Sequence, residues 1–181
     1  MLERYMASIQ PGLDSLRLAM ADPPRWDFWK AQYRKLLPRY KIGVLYGPSS
    51  TGKTMKARVA FGPDESRCYE VNCGAGDEPS MRGFRFFYHK WILLDECSPK
   101  QILANKKFFQ AQPKKIMLGT SKTGCHEYPC FVHRVPMLVC CNDWAEEVQL
   151  LKKPSDREWL ETNTVLMPVL KNLFPETNGG A

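Results

Sequence analysis

Three stretches of this chain carry residue types whose spacing points to phosphate chemistry. The first is Gly47-Pro48-Ser49-Ser50-Thr51-Gly52-Lys53-Thr54, which spells G-x-x-x-x-G-K-[ST], the pattern of a phosphate-binding loop. Glycines let such a loop curl until successive N–H groups face an anion, and a helix that follows adds its positive end. Lys53 would reach the terminal phosphates of ATP, and the Thr54 hydroxyl would take a Mg2+ ligand position. The second stretch is Trp91-Ile92-Leu93-Leu94-Asp95-Glu96, an apolar run ending in two adjacent carboxylates. Beside a phosphate loop, Asp95 suits a metal-holding role and Glu96 that of the general base polarising water. The third is Pro136-Met137-Leu138-Val139-Cys140-Cys141, which runs into Asn142. An asparagine there is placed to bond a γ-phosphate or the attacking water, though a turn or helix cap favours the same residue.

The elements that must position these groups are also legible. Ile42 to Tyr46 reads as a buried strand, and residues 55–60 as a helix, which gives the loop its strand-then-helix setting. A second strand is expected over 67–71, and a short helix over 81–88. Ser98-Pro99 should start a helix that runs through Phe108 and Phe109 to Pro113. Strands over 114–118 and 127–132 flank Gly119-Thr120-Ser121-Lys122-Thr123-Gly124, a β-hairpin with lysine at its tip. Helices follow over 144–151 and 154–160. Residues 165–170 read as a last strand, placed at an edge by Pro168. Before the loop, residues 1–40 read as helical. Leu13, Leu16, Leu18 and Met20 form a weak stripe, and Pro24 opens a helix over 25–37 whose face is Trp26, Trp29, Tyr33, Leu36 and Leu37. That stripe suits packing on the domain more than docking. Arg34, Lys35, Arg39 and Lys41 form a basic edge.

The 181 residues suit one domain, with a helical segment over 1–40, the phosphate-loop domain over 41–175 and a tail over 176–181. A hydrophobic content of 44% is enough for a packed core, and a formal charge of +7 favours a polyanionic partner. There is no apolar run of membrane-spanning length, and Met1-Leu2-Glu3-Arg4 does not open a signal peptide. Seven cysteines, an odd number, point to a reducing, intracellular compartment, the nucleus included. Cys125, Cys130 and His133 match no common zinc spacing, and small buried or surface cysteines are the default there.

The order of these features resembles the superfamily 3 helicase domain, and most closely the ATPase domain of Rep replication initiators of small circular single-stranded DNA viruses and related elements. GPSSTGKT at 47–54, WILLDE at 91–96, IMLGTSKTG at 116–124 and PMLVCCND at 136–143 carry the likeness, which covers residues 40–145. The resemblance implies an α/β P-loop NTPase, an AAA+-like core with a central sheet flanked by helices. It also implies a homo-oligomeric ring, commonly a hexamer, with ATP and Mg2+ between subunits and hairpins tracking single-stranded DNA. Residue by residue, Gly47, Pro48, Ser49, Ser50, Thr51, Gly52, Lys53 and Thr54 would cradle the nucleotide. Asp95 and Glu96 would serve Mg2+ and water, Lys122 would contact DNA, and Asn142 would act as the polar sensor. Two departures stand out. The only histidines are His89, His126 and His133, so the His-hydrophobe-His motif of the family's nuclease domain is missing, and nicking activity is not expected. The family supplies an arginine finger from beyond the sensor strand, where Arg157 is the only arginine and its surroundings do not match the family pattern.

Three readings therefore stand. The first is an Mg2+-dependent ATPase of helicase type acting on single-stranded DNA, with RNA as the other polymer it could take. The second is an oligomeric module that binds nucleotide and nucleic acid but has weakened catalysis. The third is a small-molecule P-loop kinase, against which stands the scarcity of lid arginines, only Arg134 and Arg157 after Glu96.

Overall fold

A computed structural model describes residues 15, 19–74, 79–119 and 126–174. Its centre is a five-stranded sheet. The strands are β1 (Ile42–Tyr46), β2 (Cys68–Asn72), β3 (Trp91–Asp95), β6 (Met137–Cys141) and β7 (Thr164–Pro168), in the order β2-β3-β6-β1-β7. Every pairing in it is parallel, with Val44 beside Val139 and Leu166, and Leu94 beside Val139 and Val71. A smaller antiparallel pair joins β4 (Ile116–Leu118) to β5 (Tyr128–Cys130), with Ile116 opposite Cys130.

The apolar runs explain the parallel sheet, since strands covered on both faces need side chains suited to burial at every position. Alternate residues feed two separate cores. Ile42, Val44, Ile92, Leu94, Met137 and Val139 point to one face, where they meet Ile102, Phe108, Phe109, Trp144 and Leu160. Those partners lie on or beside the helices α3 (Pro99–Ala104), α4 (Lys106–Phe109), α5 (Trp144–Gln149) and α6 (Pro154–Asn163). Leu45, Trp91, Leu93, Leu138 and Met167 point to the other face, against Trp26, Trp29 and Ala57. These come from α1 (Trp26–Ala31) and α2 (Lys53–Arg58).

The segment before β1 departs from the expected helix over 25–37. The α-helix ends at Ala31, one 3-10 turn follows over Gln32–Arg34, and Lys35 is extended. Side chains end it. The Gln32 amide accepts the Lys41 N–H at 2.6 Å and donates to the Lys41 carbonyl at 2.9 Å, while the Tyr40 hydroxyl accepts the Leu37 N–H and donates to the Lys35 carbonyl. The aromatic half of the stripe packs as expected: Trp29 is fully buried and Tyr33 stacks on Tyr40 at 5.0 Å. Leu36, however, is left 78% exposed. Lys56, buried on α2, donates to the Met20 carbonyl and pairs with Asp22, which ties this segment to the core. Leu13, Leu16 and Leu18 lie outside the described residues.

Three other expectations are corrected. Residues 81–88 form turns, not a helix: the Met81 and Gly83 N–H groups donate to the Tyr128 and Tyr69 hydroxyls, and the Arg85 N–H, which a helix would pair internally, donates to the His89 ring. The helix from Ser98 is two helices broken at Asn105, whose N–H is shared between the Gln101 and Ile102 carbonyls. Its start is as expected, a reciprocal capping box between Ser98 and Gln101. The hairpin strands are three residues each, shorter than read from sequence, and the tip with Lys122 lies outside the described residues. β7 does take the sheet edge, with Pro168 beside Tyr46. Among the described residues no helix is long and apolar enough to cross a membrane.

Trp29 joins both tasks of its segment, filling the core and donating its indole N–H to the Lys41 carbonyl at 3.1 Å just before β1. Trp29→Ala should lower unfolding free energy by about 3–5 kcal/mol, measured by urea denaturation.

Candidate functional site

Three of the sheet's C-terminal strand ends converge on one cavity of about 540 Å³. The loop after β1 forms one wall. Gly47 is held at φ 139°, and a Cβ there would lie 2.3 Å from the Val169 carbonyl oxygen, so no other residue fits without displacing the backbone. Ser50 and Gly52 also have positive φ, at 61° and 90°, which bends the loop back on itself. Its outer side is clamped. Thr51 is buried, its hydroxyl donates to the Pro48 carbonyl at 3.0 Å, and its own carbonyl accepts the Leu173 N–H at 3.0 Å.

Lys53 begins α2 and turns its ammonium back into the loop, donating to the carbonyls of Gly47 at 2.8 Å and Pro48 at 2.5 Å. Only 6% of it is exposed. Burial pulls its pKa below the ordinary lysine value, while negative charge at Asp95 and Asp143 works the other way. Because α2 spans just six residues, its dipole is small, and the loop N–H groups and Lys53 must supply most of the field for an anion.

The second wall is the end of β3. The Thr54 hydroxyl donates to Asp95 Oδ1 at 2.9 Å, so the two residues read as metal ligands from sequence are in direct contact. Glu96 follows in the left-handed region at φ 54°, an uncommon conformation for a residue with a Cβ. Its carboxylate lies over Gly74, where a Cβ would come within 2.8 Å of Glu96 Oε2. Between the two walls ends β6. Gly47 N–H donates to the Cys141 carbonyl at 3.3 Å, and the next residue, Asn142, is exposed into the cavity.

Other lining residues were not singled out by the sequence reading: Ser98, Cys140, Cys141, Asp143, Glu147 and Phe174. Asp143 and Glu147 had a signal, since Asp143 immediately precedes α5 and Glu147 lies four residues on within it. Phe174 had none, because it arrives from beyond β7. Arg157 does not line the cavity. It sits on α6, exposed, and its guanidinium donates to the carbonyls of Gln149 at 3.1 Å and Leu151 at 2.6 Å. Of the remaining residues once considered as metal ligands, Cys130 is buried in β5 and the His133 ring is bonded to the Leu37 carbonyl at 3.2 Å.

The residues present fit a divalent cation of the Mg2+ type. Thr54 and Asp95 offer hard oxygen donors, and the lining carries four carboxylates, Asp95, Glu96, Asp143 and Glu147, against one ammonium, Lys53.

No protein-family model matches this sequence, and no curated protein matches it. Among solved structures it is similar to that of NtrX from Brucella abortus in complex with ADP, with a TM-score of 0.48 and 14% identity over 93% of this chain and 41% of that one. This chain thus spans less than half the length of that protein. The class follows from the molecule's own geometry: an α/β protein with a parallel central sheet flanked by helices, of the P-loop NTPase-like kind.

Burial and the charge of Asp143 raise the pKa of Glu147 above its ordinary value of 4.5, with Lys100 opposing. A carboxyl with a raised folded pKa contributes stability that is present below pH 4.5 and is lost as pH rises through the folded value. Glu147→Gln should therefore remove part of the fall in stability on going from pH 4 to pH 7, read as thermal midpoints of the two proteins at each pH.

Proposed function

We propose that this chain is an Mg2+-dependent ATPase of the superfamily 3 helicase type that works on single-stranded nucleic acid. The observation that carries the ATPase part is the Thr54–Asp95 hydrogen bond, which brings the phosphate loop against the acidic strand end with Asn142 beside both. Each residue then has a task. The loop N–H groups and Lys53 bind the terminal phosphates, and Lys53 exchanges its two loop carbonyls for phosphate oxygens. Thr54 and Asp95 hold Mg2+, which when bound neutralises charge on the β- and γ-phosphates. Glu96 orients and deprotonates the attacking water, and Asn142 bonds the γ-phosphate or that water.

The single-strand part is supported by the net charge of +7, by the antiparallel β4–β5 pair that leads to Lys122, and by the resemblance of this motif order to Rep helicase domains. A ring of subunits, each completing its neighbour's site, belongs to the same reading. One observation favours a second reading, a nucleotide-binding module with weakened catalysis. The Arg157 guanidinium is engaged by two carbonyls, and such an arginine can matter by several orders of magnitude in phosphoryl transfer.

Lys53→Ala should abolish ATP hydrolysis while the circular dichroism spectrum stays that of the parent, and unchanged turnover in a pure sample would sink the assignment. Lys122→Ala should weaken binding to a single-stranded oligonucleotide and flatten its salt dependence by about one unit of slope. Turnover that rises more steeply than linearly with protein concentration would mark sites formed between subunits. Strict linearity, with a monomeric mass by gel filtration, would speak against the ring, and an oligomer without turnover would speak for the second reading.

A further inference from the structure

The sequence Pro79-Ser80-Met81-Arg82-Gly83-Phe84-Arg85-Phe86-Phe87-Tyr88-His89-Lys90 contains three cations, four aromatic residues and no carboxylate. It sits in turns that lead into the N-terminal end of β3, the opposite end of the sheet from the phosphate loop, and none of it lines the nucleotide cavity. Phe87 is 98% exposed, and Phe86 and Tyr88 are each more than one third exposed. Three rings run together, since Phe86 meets Phe87 edge-on at 5.2 Å and Phe131 at 4.9 Å, and Tyr88 follows next in the chain, against His89 at 5.1 Å. Cations flank this ridge. The Arg67 guanidinium lies over the Tyr88 ring at 4.5 Å, and that of Arg82 lies over the Tyr128 ring at 4.6 Å. Arg85 and Lys90 are exposed, and neither is in an ion pair among the described residues.

The ridge is built onto the base of the hairpin. Arg82 donates to the His126 carbonyl at 2.6 Å, and the Tyr128 hydroxyl accepts the Met81 N–H at 2.7 Å. The ring contacts of Phe86 carry the surface across to Phe131, just after β5. A phenylalanine exposed over nearly its whole surface gains from being covered, and the Phe87 ring beside Arg85 and Lys90 matches one class of ligand closely. Unpaired bases stack on the rings while their phosphates meet the cations. A duplex does not offer its base faces, and an acidic protein would meet the cations without using the ring faces.

We propose that the Arg82–Tyr88 ridge is a second binding surface for single-stranded nucleic acid, on which a base stacks at Phe87 and a phosphate meets Arg85. The ligand class rests on the single-strand reading above, but the residues are different ones. The strand that the hairpin engages continues over the ridge, away from the nucleotide cavity.

The test is fluorescence anisotropy of labelled oligothymidylate and oligouridylate with the full chain across a salt series. Phe87→Ala should weaken binding about tenfold while leaving the slope of log affinity against log salt unchanged, because stacking releases no counterions. Phe87→Trp should restore the affinity. Arg85→Ala should reduce the slope by about one. Equal effects on both polymers mark a surface indifferent to the sugar, and an effect on one alone identifies the polymer it takes; either supports the ridge. Parental affinity and slope in both Phe87→Ala and Arg85→Ala overturn the proposal, as does a parent that binds neither polymer. A change in assembly mass on Phe87→Ala with affinity unchanged makes the ridge a protein contact, which also overturns it. Lys122→Ala and Lys53→Ala run beside them keep the readings apart. Loss with Lys122→Ala alone sinks the ridge and keeps the hairpin, loss with Phe87→Ala alone does the reverse, and a parent without turnover removes only the hydrolysis.

Discussion

The site depends on one constraint, the insertion of β6 between β1 and β3. A parallel sheet delivers the C-terminal ends of its strands to a single edge, and ligands of open α/β sheets bind at that edge. With β6 in the middle, the phosphate loop after β1 and the acidic pair after β3 stand one strand apart. That is close enough for Thr54 to bond Asp95 at 2.9 Å and leaves Asn142 in the gap. If β3 lay directly against β1, the carboxylates would crowd the loop and no asparagine would stand between them. The order is held by burial. Val44, Leu45, Leu93, Leu94, Leu138 and Val139 are wholly inaccessible, and a slip of one residue would exchange the two core faces.

Electrostatics then give the cavity its selectivity. Lys53 is held in a buried loop by two carbonyls, and these are replaceable partners of a kind that phosphate oxygens outcompete, being charged. Negative charge at Asp95 and Asp143 opposes the pull of burial on the ammonium. Four carboxylates, Asp95, Glu96, Asp143 and Glu147, line the same cavity. Glu96 in its left-handed conformation and Gly47 pressed on Val169 are both backbone arrangements that an ordinary turn avoids, and both fall at this edge.

The opposite edge of the same sheet carries the hairpin base and the aromatic ridge. β6 starts at Met137, shortly after Phe131, and ends at Cys141, just before Asn142, so one fully buried strand runs between the two ends.

The local chemistry was legible in the chain itself. The phosphate loop, the carboxylates after Leu94, the asparagine after Cys141 and the capping box at Ser98 are short-range patterns whose physics is complete within a few residues. The edge position of β7 followed from Pro168 in the same way. Where distant side chains intervened, local reading failed. Tyr69, Tyr128 and His89 hold residues 81–88 in turns through the N–H groups of Gly83, Met81 and Arg85, and Gln32 and Tyr40 ended α1 early. Sequence determined which residues carry the chemistry suited to phosphate, metal and water. Only tertiary structure decided that they meet, that Asp143, Glu147 and Phe174 join them, that Arg157 is engaged elsewhere, and that Phe87 faces solvent. The reason is physical: a side chain's chemistry is local, but its neighbours are set by strand order and by the packing of residues far apart in the chain.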